Sequence, residues 1–462
     1  MRHATRLFPL LAFAATASFG AFAKSPYLQS LTDSTVIVHW ETSTSQTGKV
    51  EYGLTSSYGS EVSRANSTVD HELTLTGLIE DTVYHYRAIS GSDTSADATF
   101  RSNVAGDRPF RFFAYGDHRS DSAAHQSVVN RMLAQSPLPN FAVDNGDLTY
   151  DGSDAVYRTY FNIERGLLSR LPMYPSIGNH DSRNVTNWLR FLALPSNERW
   201  YTFHYGNSAF HCLDVYSTYT PGSSQYDWLV AELQADSADP AIRHIFVFFH
   251  EPPYTTNTGH SRNTTVRQYL CPLFERFHVA IAFQGHVHCY EHALVNGVHY
   301  IIAGGGGAPL YTGWNPPQPW DIYRETALEF VLVEVNGDTI RARAIRPDGT
   351  EFDSLVLDPA GMEERPKYEG RSATLGLQFS RVLSPTAGRI RLSFTLPEPG
   401  QADVLLYDAT GRRVARLTHG LFAAGEHSVS WDGTRLQPGT YSLVLESAGS
   451  VRAESVVVLG KR

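Results

Sequence analysis

The hydrophobic and polar positions follow two periods along the chain, and the changes between them divide it into parts. Between residues 25 and 101, and again beyond residue 371, apolar residues alternate with polar ones, as Ile390, Leu392, Phe394 and Leu396 do. Alternation with period two is typical of strands with one buried face, so both parts are predicted to be β-sandwiches. In between, short apolar runs alternate with helical spacing, which indicates an α/β fold.

The N-terminal part, residues 24–103, carries Val36, Val38 and Trp40 on one face of a predicted strand. Its buried tryptophan and the segment from Gly77-Leu78 to Tyr84 and Tyr86 resemble a fibronectin type III domain. The resemblance implies that a tyrosine fixes one corner of the sandwich. We expect this domain to pack beside the next one and shape access to it, although a carbohydrate- or partner-binding role stays open.

The central part, residues 108–357, is predicted to be a layered α/β sandwich. Its predicted strands are Phe110–Tyr115, Phe141–Val143, Met173–Ile177, Ala209–Val215, His244–Phe249, Val279–Phe283, His299–Ala303, Leu328–Val335 and Thr339–Ile345. Its predicted helices are Ala123–Gln135 and Tyr226–Leu233.

The patterns at the two ends of the chain predict export. Residues 1–23 combine a basic start, an apolar stretch and the cleavage pattern Ala21-Phe22-Ala23, which predicts a secretory signal peptide. After a linker at 358–371, residues 372–462 resemble the immunoglobulin-like C-terminal modules of bacterial secreted proteins, including type IX sorting domains. We therefore predict a bacterial protein that is secreted, periplasmic or on the cell surface, with secretion machinery as a partner of this module. A spacer or substrate-binding module is the alternative.

The net charge, the apolar segments and the cysteines limit the classes of partner and the chemistry that the chain can have. A net charge of -9 over 462 residues offers no basic surface, so no nucleic-acid partner is predicted. No segment has the length and apolar character of a membrane span. The three cysteines, Cys212, Cys271 and Cys289, lie in apolar surroundings and are expected to be buried free thiols, with one disulfide left open.

Side chains of metal-ligand type follow strand after strand in the central part. They are Asp117, Asp147, Asn179 with His180, His250, and His286 with His288. Because ligands bind beyond the carboxyl ends of strands in open α/β sheets, these side chains are expected to meet at one edge. A single such aspartate is usually a helix cap, and isolated loop histidines usually bond to backbone, but so many endings together favour a metal site.

This order of motifs resembles the calcineurin-like metallophosphoesterases and, within them, the purple acid phosphatases, over about residues 105–355. The resemblance implies that Asp117, Tyr150 and His288 hold a ferric ion. It implies further that Asn179, His250 and His286 hold a divalent ion, which is zinc, manganese or ferrous iron, and that Asp147 bridges the two ions. Many relatives take a ligand from a histidine two places after the first aspartate. This chain has Arg119 there, and Tyr150 would fill the vacancy.

The donor types agree with that partition, since carboxylates and a phenolate suit a trivalent ion and a neutral set of amide and imidazoles suits a divalent one. Two cations about 3.5–4 Å apart can bind a phosphate ester and activate a water for in-line attack. We predict a secreted binuclear phosphatase that hydrolyses small phosphomonoesters. A phosphodiesterase or nucleotidase with the same centre is one alternative. A non-catalytic surface binding protein on the same scaffold is the alternative from another class.

The same resemblance assigns His180 and His260 to the substrate pocket, where they are expected to protonate the leaving group and bind phosphate. Asp181 is expected to orient His180 or a metal ligand. For His260, a solvated loop residue is the alternative. Cys289 stands where the family leads us to expect a small residue, and its thiol is predicted to pack inward. His118 is left without a role.

Overall fold

The computed structural model describes residues 22–358 and, in the C-terminal part, 376–378, 389–396, 400–408, 413–423, 425–432, 436, 439–447 and 450–458. Residues 1–21 of the predicted signal peptide therefore lie outside the described residues. The predicted linker also lies outside them, except for its first residue, Asp358.

Six strands form the N-terminal sheet. They are β1 Phe22–Gln29, β2 Val36–Gly53, β3 Ser60–Leu75, β4 Val83–Ser90, β5 Asp93–Thr94 and β6 Ala98–Arg101. Trp40 is fully buried, as the alternation predicted. The hydroxyl of Tyr84 accepts a hydrogen bond of 2.8 Å from the backbone N–H of Ile79, which ties the turn before β4 to the strand.

The N-terminal sheet packs against the central domain through polar as well as apolar contacts. The hydroxyl of Tyr27 donates to the carbonyl of Phe191 at 2.8 Å. Glu41 is buried and receives both the ammonium of Lys24 at 2.6 Å and the guanidinium of Arg158 at 2.6 Å. Two cations on one buried carboxylate compensate for its desolvation, so this contact fixes the position of the sheet.

Two sheets form the middle of the central domain. Their strands, in chain order, are β7 Phe110–Tyr115, β8 Phe141–Asp144, β9 Met173–Pro175, β10 Tyr201–Tyr205, β11 Ser208–Cys212, β12 His244–Phe248, β13 Ile281–Gln284, β14 Tyr290–Val295, β15 Val298–Ala303, β16 Asp321–Glu325, β17 Phe330–Asn336, β18 Thr339–Ile345 and β19 Glu351–Leu357. One sheet has the order β19-β18-β17-β7-β8-β9 and the other β10-β11-β12-β13-β15-β14-β16. The neighbours β7, β8 and β9 are parallel, as are β11, β12, β13 and β15, so their carboxyl ends share an edge within each sheet.

The two sheets face each other across an aromatic layer. The ring of Phe112 on β7 meets the rings of Phe210, Phe246 and Phe283 edge to face, with centroids 5.2, 5.3 and 6.0 Å away. These rings come from three neighbouring strands of the opposite sheet, and all of them are buried. Aromatic pairs in this geometry add about 0.5–1.5 kcal/mol each to their burial, so the layer holds the strand ends at a fixed distance.

Helices cover the outer faces of both sheets. They are α1 Ser122–Leu133, α2 Asp154–Leu168, α3 Val185–Phe191, α4 Ser224–Ala238, α5 Thr264–Tyr269 and α6 Cys271–Arg276, with a 3-10 helix at Asp181–Asn184. Helix α1 begins where the side chain of Asp121 accepts hydrogen bonds from the N–H groups of Ala123 and Ala124. The predicted α/β sandwich is confirmed, whereas the sequence analysis did not predict the helices α2, α3, α5 and α6.

The C-terminal part forms two smaller sheets. Their strands are β20 Gly376–Gln378, β21 Arg389–Leu396, β22 Gly400–Asp408, β23 Arg413–Phe422, β24 Gly425–Asp432, β25 Gly439–Ser447 and β26 Ser450–Val458. Leu392, Phe394 and Leu396 are buried, as their alternation predicted. The predicted β-sandwich is confirmed for this part of the chain.

All three cysteines are free and buried, which confirms the prediction of buried free thiols over the alternative of one disulfide. Within the described ranges, none of the helices has the length and apolar character that a membrane span needs.

Candidate metal centre

The predicted ligands follow the carboxyl ends of the parallel strands. Asp117 follows β7 and Asp147 lies in the loop after β8, while Asn179 lies beyond β9. In the opposite sheet, His250 follows β12, and His286 and His288 follow β13. Of these residues, Asp117, Asp147, His250 and His288 are buried, and Asn179 and His286 are half-buried.

Three of these residues have an unusual backbone conformation. Asp117, Asp147 and His286 have φ angles of 62°, 58° and 69°, in the left-handed region that residues other than glycine rarely adopt. Such a conformation costs about 1–3 kcal/mol and persists only where the surroundings enforce it. It turns each chain sharply beyond the end of its strand, so that the side chain faces the ligands of the neighbouring loops.

Two glycines allow the ligand loops to approach one another. A Cβ atom on Gly285 would lie 2.4 Å from Oδ2 of Asp117, and one on Gly178 would lie 2.2 Å from Oδ1 of Asp147. Neither distance is compatible with a side chain. The glycines are therefore required for the close packing of the two carboxylates.

Asn179, His250 and His286 form one half of the centre. The amide oxygen of Asn179 lies 3.1 Å from Nδ1 of His286 and 3.3 Å from Nε2 of His250. The Nδ1–H of His250 donates to the carbonyl of Asn145 at 2.7 Å, which leaves Nε2 with a free lone pair. That Nε2 is also 3.5 Å from Oδ1 of Asp147, so all four groups face one point.

Asp117 and His288 form the other half. The Nδ1–H of His288 donates to the carbonyl of Pro309 at 2.7 Å, and Nε2 lies 3.5 Å from Oδ1 of Asp117. Oδ1 of Asp117 is buried without a hydrogen-bond partner among the described residues. A buried anionic oxygen without a partner is costly, and a cation would compensate for it.

The structure places Arg119, and not Tyr150, in contact with this second half. Nε of Arg119 donates to Oδ2 of Asp147 at 2.9 Å, and its Nη2 donates to Nε2 of His288 at 3.1 Å. Tyr150 is 51% exposed and its ring lies 5.2 Å from that of His180. Within the described part of the chain, its hydroxyl makes no hydrogen bond to the predicted ligands. The sequence analysis found Arg119 at a position where many relatives have a ligand histidine, but it predicted no role for this arginine.

The donor set is suited to metal ions. Ligand atoms of Asp117, Asp147 and His250 lie within 4.8 Å of one another, and the amide oxygen and second imidazole of the first half adjoin them. Burial and the neighbouring imidazoles hold the pKa of His286 well below its usual value. Burial lowers the pKa of His288 to about 4. Both imidazoles are thus neutral at pH 7, which is the form that binds metal.

His180 and His260 both border the centre. The Nδ1–H of His180 donates to the carbonyl of Tyr150, and its Nε2 is 3.9 Å from Oδ2 of Asp147. The ring of His260 lies 3.8 Å from that of His286, and its Nε2 is 3.1 Å from the hydroxyl of Tyr311. His260 is therefore held against a predicted ligand, in a loop with defined contacts.

Asp181 contacts the loop that carries Asp147. Its carboxylate is buried and accepts hydrogen bonds from the N–H groups of Leu148 and Thr149 at 3.2 and 3.0 Å. Burial, reinforced by the charge of Asp147, raises the pKa of Asp181 to about 7. Of the two roles that the sequence left open for Asp181, these contacts support the positioning of a ligand.

Sequence reasoning missed Glu291, which fixes the loop of His260. This buried carboxylate accepts hydrogen bonds from the hydroxyl of Thr255 and from the N–H of Thr256, each at 2.5 Å. Its only signal in the sequence is its place shortly after His288. Cys289 packs inward beside Val287 and Ile302, as predicted, and burial raises the pKa of its thiol well above the usual value.

A second cluster of imidazoles and carboxylates lies behind the centre. We call it the internal cluster, and it consists of His118, His125, Asp144 and Glu164 with the hydroxyls of Tyr115 and Tyr160. His118 was left without a role, and the structure shows it buried and bonded to Asp144 at 2.7 Å.

Comparison with known proteins agrees with this geometry. Residues 110–290 match the family model for the Calcineurin-like phosphoesterase, and residues 380–450 match that for the FlgD Ig-like domain. These matches identify the central domain as a metallophosphoesterase domain of the hydrolase class and the C-terminal part as an Ig-like domain.

Individual relatives are distant. An uncharacterised protein of Mycobacterium tuberculosis is 27% identical over 294 residues, which cover 54% of this chain and 55% of that protein. Purple acid phosphatase 18 of Arabidopsis thaliana is 28% identical over 210 residues, 39% of this chain and 47% of that protein. The chain thus spans about half the length of these curated relatives.

Among solved structures, the purple acid phosphatase PPD1 from yellow lupin (Lupinus luteus) seeds is similar with a TM-score of 0.65. The likeness covers 72% of this chain and 74% of that chain at 18% identity, and it shows the shared fold.

Proposed function

We propose that the calcineurin-like phosphoesterase domain makes this protein a metal-dependent phosphatase that hydrolyses small phosphomonoesters. The observation that carries the proposal is the convergence of carboxylate, amide and imidazole donors from five loops on one buried point. A non-catalytic binding protein on the same scaffold has no need for strained loops that bring these donors together.

Asn179, His250, His286 and Asp147 would hold a divalent ion, which we propose to be zinc, manganese or ferrous iron. Asp117 and His288 flank the position that the resemblance assigns to a ferric ion. The bound cations would supply Lewis acidity, which neutralises charge on the phosphate and lowers the pKa of a water molecule.

The chain itself would supply the proton for the leaving group. Nε2 of His180 faces the centre and the ring of His260 lies over His286, so a phosphate ester bound there would contact both. Burial lowers the pKa of both imidazoles. A phosphate dianion beside them favours the charged form, so substrate binding would bring a proton to the imidazole next to the leaving oxygen.

We also propose that the chain is exported to the periplasm, the cell surface or the medium of a bacterium. The pattern in residues 1–23 supports this proposal, and so does the Ig-like C-terminal domain. The division into residues 24–103, 108–357 and 372–462 is likewise our proposal. The alternation of hydrophobic positions supports it.

The test compares matched aryl esters on the purified full chain. We expect turnover of 4-nitrophenyl phosphate to exceed that of bis(4-nitrophenyl) phosphate by at least about tenfold, which equals about 1.4 kcal/mol in activation free energy. Chelation should abolish both activities, and zinc or manganese should restore them.

Faster turnover of the diester would replace the proposal with a phosphodiesterase. Bound metal without hydrolysis of either ester would favour the non-catalytic alternative.

A further inference from the structure

Arg119 reaches back from the loop after β7 into the centre. Its side chain is 12% exposed, and its two hydrogen bonds go to Oδ2 of Asp147 and to Nε2 of His288. Both partners belong to the set that the sequence assigns to metal binding. A charge-assisted hydrogen bond to a buried carboxylate is about twice as strong as a neutral one, so this arginine is firmly held.

The contact with His288 excludes a metal ion at the same atom. Since Nδ1 of His288 donates to the carbonyl of Pro309, its Nε2 carries the only lone pair of the ring. The ring is also stacked on Tyr311, with centroids 4.2 Å apart and an angle of 11° between the planes. A lone pair that accepts from a guanidinium cannot coordinate an ion, so the two occupants compete.

The third donor expected at this position is not engaged. A ferric site was predicted from Asp117, Tyr150 and His288, but the half-exposed Tyr150 packs beside His180 and under the guanidinium of Arg183, whose central carbon is 5.9 Å from the ring. Asp117 and Asp147 then face one fixed positive charge from the chain itself. The half formed by Asn179, His250 and His286 has no such competitor among the described residues.

We propose that Arg119 is the second cation of the centre. Its guanidinium occupies the position between Asp147 and His288 that the resemblance gives to the ferric ion, and the chain binds a single divalent ion tightly. The remaining N–H groups of Arg119 supply donors for phosphate oxygens at that position, as guanidinium groups do in other phosphate sites. This inference rests on the proposed function, since it assumes that the other half holds a metal ion.

The test is the metal stoichiometry of the full chain. Metal-depleted protein is titrated with zinc or manganese by calorimetry, and the ions retained after dialysis are counted by elemental analysis. The parent should retain one ion per chain and bind a second at least about tenfold more weakly, and Arg119→Ala should strengthen the second site by about tenfold or more, equal to about 1.4 kcal/mol. Arg183→Ala, which removes a nearby arginine that does not contact the ligands, should behave as the parent.

Two tight ions of similar affinity in the parent would overturn the role of Arg119, whether or not the variant folds. A second site that is unchanged or weakened in folded Arg119→Ala would overturn it as well. Failure of the parent to bind any ion would overturn the proposed function itself, and with it this inference.

Discussion

Asp117 and His118 are neighbours in the sequence, yet their side chains enter two different clusters of buried imidazoles and carboxylates. Asp117 faces the metal centre, and His118 faces the internal cluster behind it. Both clusters contain groups of three ligand-type residues whose ligand atoms lie within 4.8 Å of one another. Residue type and proximity therefore do not distinguish them.

What distinguishes the clusters is the partner of each lone pair. In the internal cluster, Nε2 of His118 lies 2.7 Å from Asp144 and Nε2 of His125 lies 2.7 Å from Glu164. Each imidazole is bonded to a carboxylate, so the positive charge that a carboxylate needs can come from a proton. In the metal centre, His250 and His288 donate to backbone carbonyls, and the lone pair on Nε2 faces Asp147 in the case of His250 and the guanidinium of Arg119 in the case of His288.

The comparison teaches that a metal site is marked by imidazoles that donate to backbone carbonyls and so leave the lone pair of Nε2 for a cation, whether that cation is a metal ion or, as proposed at His288, the guanidinium of Arg119. The internal cluster is better described as a buried hydrogen-bond network that joins β7, β8, α1 and α2. Variants of the two clusters should therefore fail in opposite ways, which the following predictions test.

The largest effect is expected for His286→Ala in the metal centre. Because its ring is one of the two imidazoles of the divalent half, the variant should lose its tightly bound ion. Turnover should fall by about a thousandfold, the upper end of what a single charge-stabilising group contributes. The midpoint of thermal unfolding of metal-free protein should stay near that of the parent.

Elemental analysis and kinetics check this prediction, and His204→Ala on β10 serves as the control imidazole. A His286→Ala variant with full metal content and full turnover would contradict it.

Glu164→Ala in the internal cluster should show the reverse. Its removal leaves Nε2 of His125 and the hydroxyl of Tyr115 without their buried acceptor. Breaking a buried pair on one side typically costs 3–5 kcal/mol, so we expect the free energy of unfolding to fall by about 3 kcal/mol. Denaturant titration measures it, and the exposed Glu72→Ala on β3 serves as the control. Loss of bound ions at full folding would show that the internal cluster belongs to the metal centre after all.

The smallest effect is expected for Tyr150→Phe, because Tyr150 lies beside the metal centre and belongs to neither cluster. Its hydroxyl makes no hydrogen bond to the ligands in the described structure, so metal content and turnover should stay within about twofold of the parent, a difference of about 0.4 kcal/mol. Absorption spectra of the oxidised protein provide an independent measurement. Loss of a visible band together with iron in the variant would instead restore the ferric site that the resemblance implies.

Much of the fold could be predicted because its strands are apolar runs between turn residues. The strands Phe110–Tyr115 and Thr339–Ile345 have the predicted bounds. Helix α2 was not predicted, although its buried residues Tyr157, Tyr160, Phe161, Leu167 and Leu168 recur at helical spacing. Its pattern was therefore sufficient for the prediction, and Glu164 is the one charged member of the buried face.

The candidate site could be predicted as a set of positions, since the carboxyl ends of parallel strands share an edge within each of the two sheets. What could not be predicted is the direction of the side chains beside them. Arg119 and Tyr150 both lie in loops at that edge, and a few dihedral angles decide which of them enters the centre. Glu291 was missed because nothing in the sequence of a strand shows that a carboxylate is buried.

The glycines at 178 and 285 offer a way to recognise duplicated copies of such a gene that have lost their chemistry. A search for lost histidines and aspartates would overlook a copy in which only one of these glycines has mutated. Yet a Cβ at either position would displace a carboxylate of the centre, since it would lie 2.2 Å from Asp147 or 2.4 Å from Asp117. Such a copy would keep its whole ligand set and still be unable to form the site, so these two glycines belong in any diagnostic signature of an active member.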